Sequence, residues 1–476
     1  MLFNSLEFAI FLPIVFVLFW FAAKGNTRLQ NFILLVSSCI FYMFLIPEYI
    51  LILFLAIVID YFAGIWLERT AGNKRKWLLW LSIISTCLIL FVFKYYNFFI
   101  DNTNALAKLI GWNYSIEALQ IALPIGLSFH TFQSLSYVID VYNKEQKAEQ
   151  DFLTYSVYVM FFPQLVAGPI ERAGNLLPQF HAPKKFDLAL ASDGMRQILW
   201  GLFTKVVIAD NCALYVNAVY GNHANETTGS LWLSAILFSF QIYGDFSGYS
   251  NMALGTAKLF GFRLMQNFNY PYFSRDIAEF WRRWHISLST WFRDYVYKPL
   301  GGNKGSMLKT FRNTMIIFVV SGFWHGANWT FIAWGALNAL LFVPLLLTGK
   351  NKRYFSVVAE DRVLPSWRDT MSIGLTFLLT TLAWVFFRSA TMTEAIAYLQ
   401  GMFSWQHMGL PKNANFTLLV LITIFITIEW VGRRKPHALE VSSLSPTRRR
   451  LAYTGVFLMI FFFAVYNKSE FIYFQF

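Results

Sequence analysis

Apolar runs long enough to cross a lipid bilayer recur along the whole of this chain, and they restrict it to a set of membrane-embedded helices. Spans are expected at 7–23, 29–46, 49–67, 77–94, 119–139, 153–168, 195–217 and 231–260. Others are expected at 312–322, 327–347, 371–388, 415–432 and 451–466. With 57% hydrophobic and 14% charged residues among 476, the composition excludes a soluble multidomain protein. The predicted fold class is an all-α polytopic membrane protein of about ten to thirteen embedded helices. Between 153 and 347, Pro163, Gly168, Pro169, Gly244, Gly248 and Gly255 interrupt apolar sequence and are read as sites of broken or re-entrant helices. No basic region precedes the run from Glu7 to Ala23, so it is expected to stay as a first span rather than be cleaved.

Lysine and arginine set the expected orientation. The loops at 24–28 and 68–76 carry Lys24, Arg28, Arg69, Lys74, Arg75 and Lys76, and the loop at 433–450 carries Arg433, Arg434, Lys435 and Arg448 to Arg450. All three are placed in the cytoplasm, which puts both termini outside. The net charge of +13 suits anionic membrane lipid, and no basic cluster has the setting of a nucleic-acid module. Cys39, Cys87 and Cys212 are far apart, without metal or disulfide spacing.

Chemistry is expected between 240 and 340, where two histidines stand out. Taken as one helix, 276–295 places Trp281, Trp284, Leu288 and Trp291 on one face, and Arg282, His285, Ser289 and Arg293 on another. Two readings stay open for it. The helix lies at the membrane interface, or Arg282 and Arg293 hold an anionic group while His285 orients a reacting partner. His325 sits within a nearly unbroken apolar stretch from Met315 to Leu347, about 50 Å as one helix at ~1.5 Å per residue, against a hydrocarbon core of about 30 Å. The stretch must therefore break, tilt or leave the membrane. Gly322 and Gly326 bracket the histidine and permit a bend or a close approach. A buried imidazole satisfied between helices is one reading of His325, and a general base is the other.

The remaining signals are weaker. Seven histidines are scattered without metal-ligand clustering, and neither HExxH nor GxSxG occurs. Asp60, Asp140, Asp210 and Asp245 lie in or beside apolar sequence; they serve either as ion sites of a transporter or, more commonly, as interhelical pairs.

The string DIAEFWRRWHISLSTWFRDYVYKPLGGNK (276–304), followed by FWHGANWTFIAWGALN (323–338), resembles the membrane-bound O-acyltransferase family, and within it the bacterial alginate O-acetyltransferase branch. The strings at 123–142, 161–180, 201–211 and 238–262, the opening MLFNSLEFAIFLPIVF and the closing FIYFQF resemble that branch too, so the likeness covers essentially the whole chain. It implies one embedded domain over 1–476, with a signature core at 123–340, C-terminal helices at 371–466, and a ring of helices around a tunnel. It makes His325 catalytic and places His285 at the second signature position. Arg282, Trp284, Ser289, Arg293, Asp294, Trp324 and Asn328 become substrate-contact candidates, with Trp324, Asn328 or a backbone N–H near Gly326 supporting an oxyanion. The resemblance further implies residence in the cell membrane, acetyl-CoA or another thioester as donor, no tightly bound cofactor, a polysaccharide acceptor, and a separate extracytoplasmic esterase-like partner. D-alanyl transfer to teichoic acid and a non-enzymatic polysaccharide export module remain as alternatives.

Overall fold

The computed structural model describes residues 1–44, 46–112, 115–121, 123–465 and 471–472, and every regular element among them is helical. Positions 45, 122 and 466 of the expected spans, and 473–476 of the closing string, lie outside the described residues. Two compact units divide the chain: Met1–Ala191 with Thr256–Met265, and Ser192–Gly255 with Gln266–Phe476.

The first unit contains α1 (Leu6–Val17), α2 (Thr27–Met43), α3 (Ile50–Arg69), α4 (Asn73–Leu90), α5 (Tyr96–Leu109), α6 (Leu127–Asn143), α7 (Phe152–Met160), α8 (Phe162–Leu165) and α9 (Ala173–His181). From α10 (Leu188–Phe203) the chain enters the second unit. That unit holds α11 (Asp210–Gly221), most of α12 (Thr228–Leu259), α13 (Ile277–Arg283), α14 (Ile286–Phe292), α15 (Met307–His325) and α16 (Trp329–Leu347). It ends with α17 (Trp367–Arg388), α18 (Met392–Met402), α19 (Phe416–Gly432) and α20 (Pro446–Phe463).

Pro47–Arg69, Asn73–Leu109, Leu188–Gly221, Trp329–Leu347 and Trp367–Arg388 are long and apolar enough to cross a membrane, and Leu6–Ala22 and Phe416–Gly432 are shorter apolar helices. The chain is thus an all-α, multi-pass membrane protein, as its apolar runs require. Two expected spans differ in detail. The span at 119–139 is helical only from Leu127, because Pro124 and a left-handed Gly126 (φ +80°) precede it. The span at 153–168 forms two pieces, α7 and α8. Pro163 at the start of α8 has no N–H for a continuing helix and would press its ring on the preceding turn.

The glycines at 244, 248 and 255 do not break α12. They let α10 approach it: a Cβ on Gly248 would lie 2.7 Å from the Gly201 carbonyl oxygen, and one on Gly255 would lie 2.4 Å from that of Gly194. Small residues at a helix crossing are a common membrane solution, since close backbone packing replaces the hydrophobic drive that lipid removes. The intramembrane aspartates likewise form side-chain pairs. Asp60 accepts hydrogen bonds from Ser82 (2.8 Å) and Thr86 (3.2 Å) in the first unit. In the second, Lys205 bridges Asp210 at 2.7 Å and Asp245 at 2.6 Å.

Candidate active site

The long apolar stretch around His325 breaks at one place. Helix α15 ends on the histidine, Gly326 is extended (φ −160°, ψ 143°), and Asn328 starts α16 by accepting the Thr330 N–H at 3.0 Å. The result is a tight antiparallel hairpin with His325 at its turn. Glycines make it possible by close approach rather than by left-handed backbone. A Cβ on Gly326 would lie 2.1 Å from Phe331 Cε2, and one on Gly322 would lie 2.2 Å from the Phe331 carbonyl oxygen. Gly326→Ala is expected to destabilise the protein by about 1–3 kcal/mol through overpacking and to lower activity with it. Thermal unfolding in detergent checks this; an unchanged midpoint counts against the packing argument.

His285 reaches the same place by a different route. The segment 276–295 is not one helix with a tryptophan face and an arginine face. Asp276 caps α13 by accepting the Glu279 N–H at 2.7 Å, the helix stops at Arg283, and His285 takes a left-handed conformation (φ 43°, ψ 56°) before α14 begins. That conformation costs a residue with a Cβ roughly 1–2 kcal/mol, so tertiary contacts must hold it. They flank it on both sides. Asn269 N–H donates to the Arg283 carbonyl at 3.0 Å, and Ile286 N–H donates to the Asn267 carbonyl at 2.9 Å. The Ser287 hydroxyl adds a bond to Asn267 Oδ1 at 2.6 Å.

The two imidazoles consequently lie near each other, ring centroids 6.4 Å apart and planes inclined at 55°, at 1% and 4% exposure for His285 and His325. Aromatic rings wall them in. His325 lies 4.9 Å from Trp324, 5.3 Å from Trp334 and 5.4 Å from Phe387, while Phe246 stands perpendicular to His285 at 4.7 Å. Such a chamber keeps a reacting group from bulk water and strengthens polar interactions inside it. Among the described residues no group of three or more His, Cys, Asp or Glu is placed to hold a metal ion.

The other expected site residues divide between this chamber and its surroundings. Trp324 touches both histidine rings, at 4.9 Å and 6.4 Å. Trp284 is buried one residue before His285, against Trp384 at 5.0 Å. The Ser289 hydroxyl donates to the Trp284 carbonyl at 3.4 Å. Asn328 uses its amide structurally, since Nδ2 donates to the Ala390 carbonyl at 2.8 Å while Oδ1 caps α16. Arg282 points away from the histidines and donates to the carbonyls of Asn351 (2.8 Å) and Tyr354 (2.7 Å). Arg293 lies at the surface, paired twice with Asp294 at 3.0 Å, and Lys298 approaches the same carboxylate at 2.8 Å. Partial burial pushes the Asp294 carboxyl up, but Arg293 and Lys298 outweigh it and hold the group below its ordinary range.

Several residues that build the site escaped the sequence reading. Glu279 receives Arg275 at 3.0 Å and Arg283 at 2.9 Å, and anchors the turn that leads to His285. The spacing 275, 279, 283 is a helical i, i+4 charge pattern and was the available signal. Phe246 and Phe387 approach the histidines from distant segments, and Asn267 and Trp384 support their neighbours from further ones; none carries a local signature.

Comparison with known proteins identifies the family. The membrane-bound O-acyltransferase family matches residues 76–379, which include both histidines. The chain is 36% identical over 460 residues to the probable alginate O-acetylase AlgI of Pseudomonas aeruginosa, covering 94% of this chain and 84% of that one. It is 34% identical over 434 residues to the peptidoglycan O-acetyltransferase of Helicobacter pylori, covering 84% and 80%. Likeness to the teichoic acid D-alanyltransferase of Bacillus subtilis is 30% over 267 residues, covering 53% and 65%. With a family match over 76–379 and relatives aligned along most of its length, the chain belongs to the membrane-bound O-acyltransferase family, and the protein is an O-acyltransferase.

Proposed function

We propose that this protein moves an acetyl group from cytoplasmic acetyl-CoA toward hydroxyls of an extracytoplasmic polysaccharide, with an esterase-like partner completing the transfer. The observation that carries the reading is the closeness of His285 and His325 in a closed aromatic chamber. The acetyl group is favoured over D-alanine because the O-acetylating relatives align along most of the chain, whereas the D-alanyltransferase aligns along about half. Arg433 donates to the carbonyls of Val358, Ala359 and Arg362, so the loops at 350–366 and 433–450 share one end of the second unit. Their basic residues support a cytoplasmic assignment for that end, in keeping with the orientation proposed from the loop charges.

In the proposed reaction His325 takes the proton of an acceptor hydroxyl as its oxygen attacks the thioester carbonyl carbon. The C–S bond then breaks, and the departing thiolate recovers the proton from the imidazolium as CoA–SH. The Trp324 indole N–H is the donor type suited to the developing oxyanion. His285 orients the donor or acceptor across the chamber. His285→Ala is accordingly expected to slow transfer less than His325→Ala does, by roughly tenfold to a hundredfold, one lost hydrogen bond to a charged partner. Equal loss in the two variants, measured as initial rates, defeats that division of labour.

The overall proposal is tested with purified protein in lipid nanodiscs, labelled acetyl-CoA, candidate glycans and the neighbouring esterase-like protein. CoA release coupled to a labelled acceptor is expected. Transport of glycan without CoA release or any labelled product would favour an export module instead.

A further inference from the structure

The end of the second unit that carries the α15/α16 turn also holds a cavity of about 250 Å³ beside α18. Asn328 donates to the Ala390 carbonyl just before α18 begins at Met392, and the cavity lies along the later part of that helix, from Ala397 onward. Polar side chains from two distant stretches converge on it. His223 and Glu226 come from the turn after α11, and Gln400, Ser404 and His407 from the end of α18 and the loop that follows.

The loop is held in place by bonds to the start of α12. Thr228 N–H donates to the His407 carbonyl at 2.9 Å, Gly229 N–H to that of Gly409 at 3.1 Å, and the Thr228 hydroxyl to that of Ser404 at 3.0 Å. A Cβ on Gly229 would lie 2.5 Å from the Gly409 carbonyl oxygen, so the two segments pack at backbone contact. Glu226 Oε2 is shielded from solvent and accepts no hydrogen bond. A shielded carboxylate oxygen without a donor is costly, and a ligand that supplies one removes the cost. Beside the cavity, Trp405 is 82% exposed and offers an indole face to the outside.

We propose that this cavity binds a neutral, hydroxyl-rich sugar residue of the acceptor glycan and holds the chain beside the outer mouth of the acyl-transfer site. The proposal rests on the acyl-transfer reading for its biological sense. The lining chooses the ligand class. Sugar hydroxyls both donate and accept, which matches a carboxylate that only accepts, an amide and a hydroxyl that do both, and two imidazoles that do either. A uronate would bring a second carboxylate against Glu226, and an ammonium group, although drawn to that carboxylate, only donates and would leave the donors of Gln400 and Ser404 without an acceptor. The volume suits a single ring, with the next residue of the glycan lying over the Trp405 face.

Binding is measured by isothermal titration on the full chain in nanodiscs, with empty nanodiscs as blank, using chitotetraose, a mannuronate tetramer and a lysine-rich peptide. Chitotetraose is expected to bind and the other two are not. Glu226→Ala and Ser404→Ala each weaken chitotetraose binding by roughly tenfold. His325→Ala leaves it unchanged. Failure of chitotetraose to bind, wild-type affinity in both cavity variants, or tighter binding of the uronate or the peptide overturns the proposal. Because the titration reads no turnover, it succeeds or fails separately from acyl transfer.

Discussion

His325→Ala is expected to remove acyl transfer from this protein while leaving it folded and inserted. The imidazole is a group able to take and return a proton, and general-base assistance is worth typically 10²–10⁴-fold. The side chain is also a packing element, in contact with Trp324, Trp334 and Phe387. Truncation therefore leaves a small void and lowers stability, and activity has to be compared at matched folded fraction. His325→Gln separates the two effects. It fills most of the same space and keeps hydrogen-bonding capacity, yet it cannot serve as a base. Both variants are expected to lose transfer to a similar extent, with the glutamine form unfolding nearer the wild-type midpoint. Initial rates of CoA release against a thermal-unfolding control decide it. Transfer at a normal rate in either variant removes His325 from the chemistry.

The parts of this architecture that were legible in the sequence are those fixed by local composition. Apolar runs announced the helices, and the excess length of the run around His325 required a break, which falls at Gly326 to Asn328. What local pattern could not reveal was how distant segments override it. The periodicity of 276–295 fits one amphipathic helix well, yet His285 is left-handed because the chain at Asn267 and Asn269 binds its backbone from both sides. That pairing has no local trace at 285. The glycines at 244, 248 and 255 were misread for a related reason. In a helix they signal either a break or a close neighbour, and only α10, with Gly201 and Gly194, shows that the neighbour is the cause. Arg282 was assigned to an anionic ligand on charge alone, but a guanidinium is equally served by converging carbonyls, here from a loop about 70 positions later.

Glu279→Ala is expected to be the most damaging substitution outside the histidines. Glu279 is 1% exposed and stands between the largely buried guanidiniums of Arg275 and Arg283, both within 3.0 Å. Removing the carboxylate leaves two shielded cations facing each other without their counter-charge, and breaking a buried pair in this way costs about 3–5 kcal/mol. The carbonyl of Ser356, which accepts from both arginines, only partly compensates. The damage then reaches the chemistry along the backbone. Arg283 supplies the carbonyl that Asn269 holds, and His285 keeps its left-handed conformation only while that turn stays in place. A positioning role of this kind predicts more than lost stability. Glu279→Gln, which retains the shape and one acceptor oxygen, should recover most of the thermal midpoint but leave the rate of transfer reduced. In a double-mutant cycle, Arg283→Met added to Glu279→Ala should cost far less than the sum of the two single losses, because the second change removes a cation the first had stranded. Strict additivity would mean that the three charges do not act together, and the turn at His285 would then need another support.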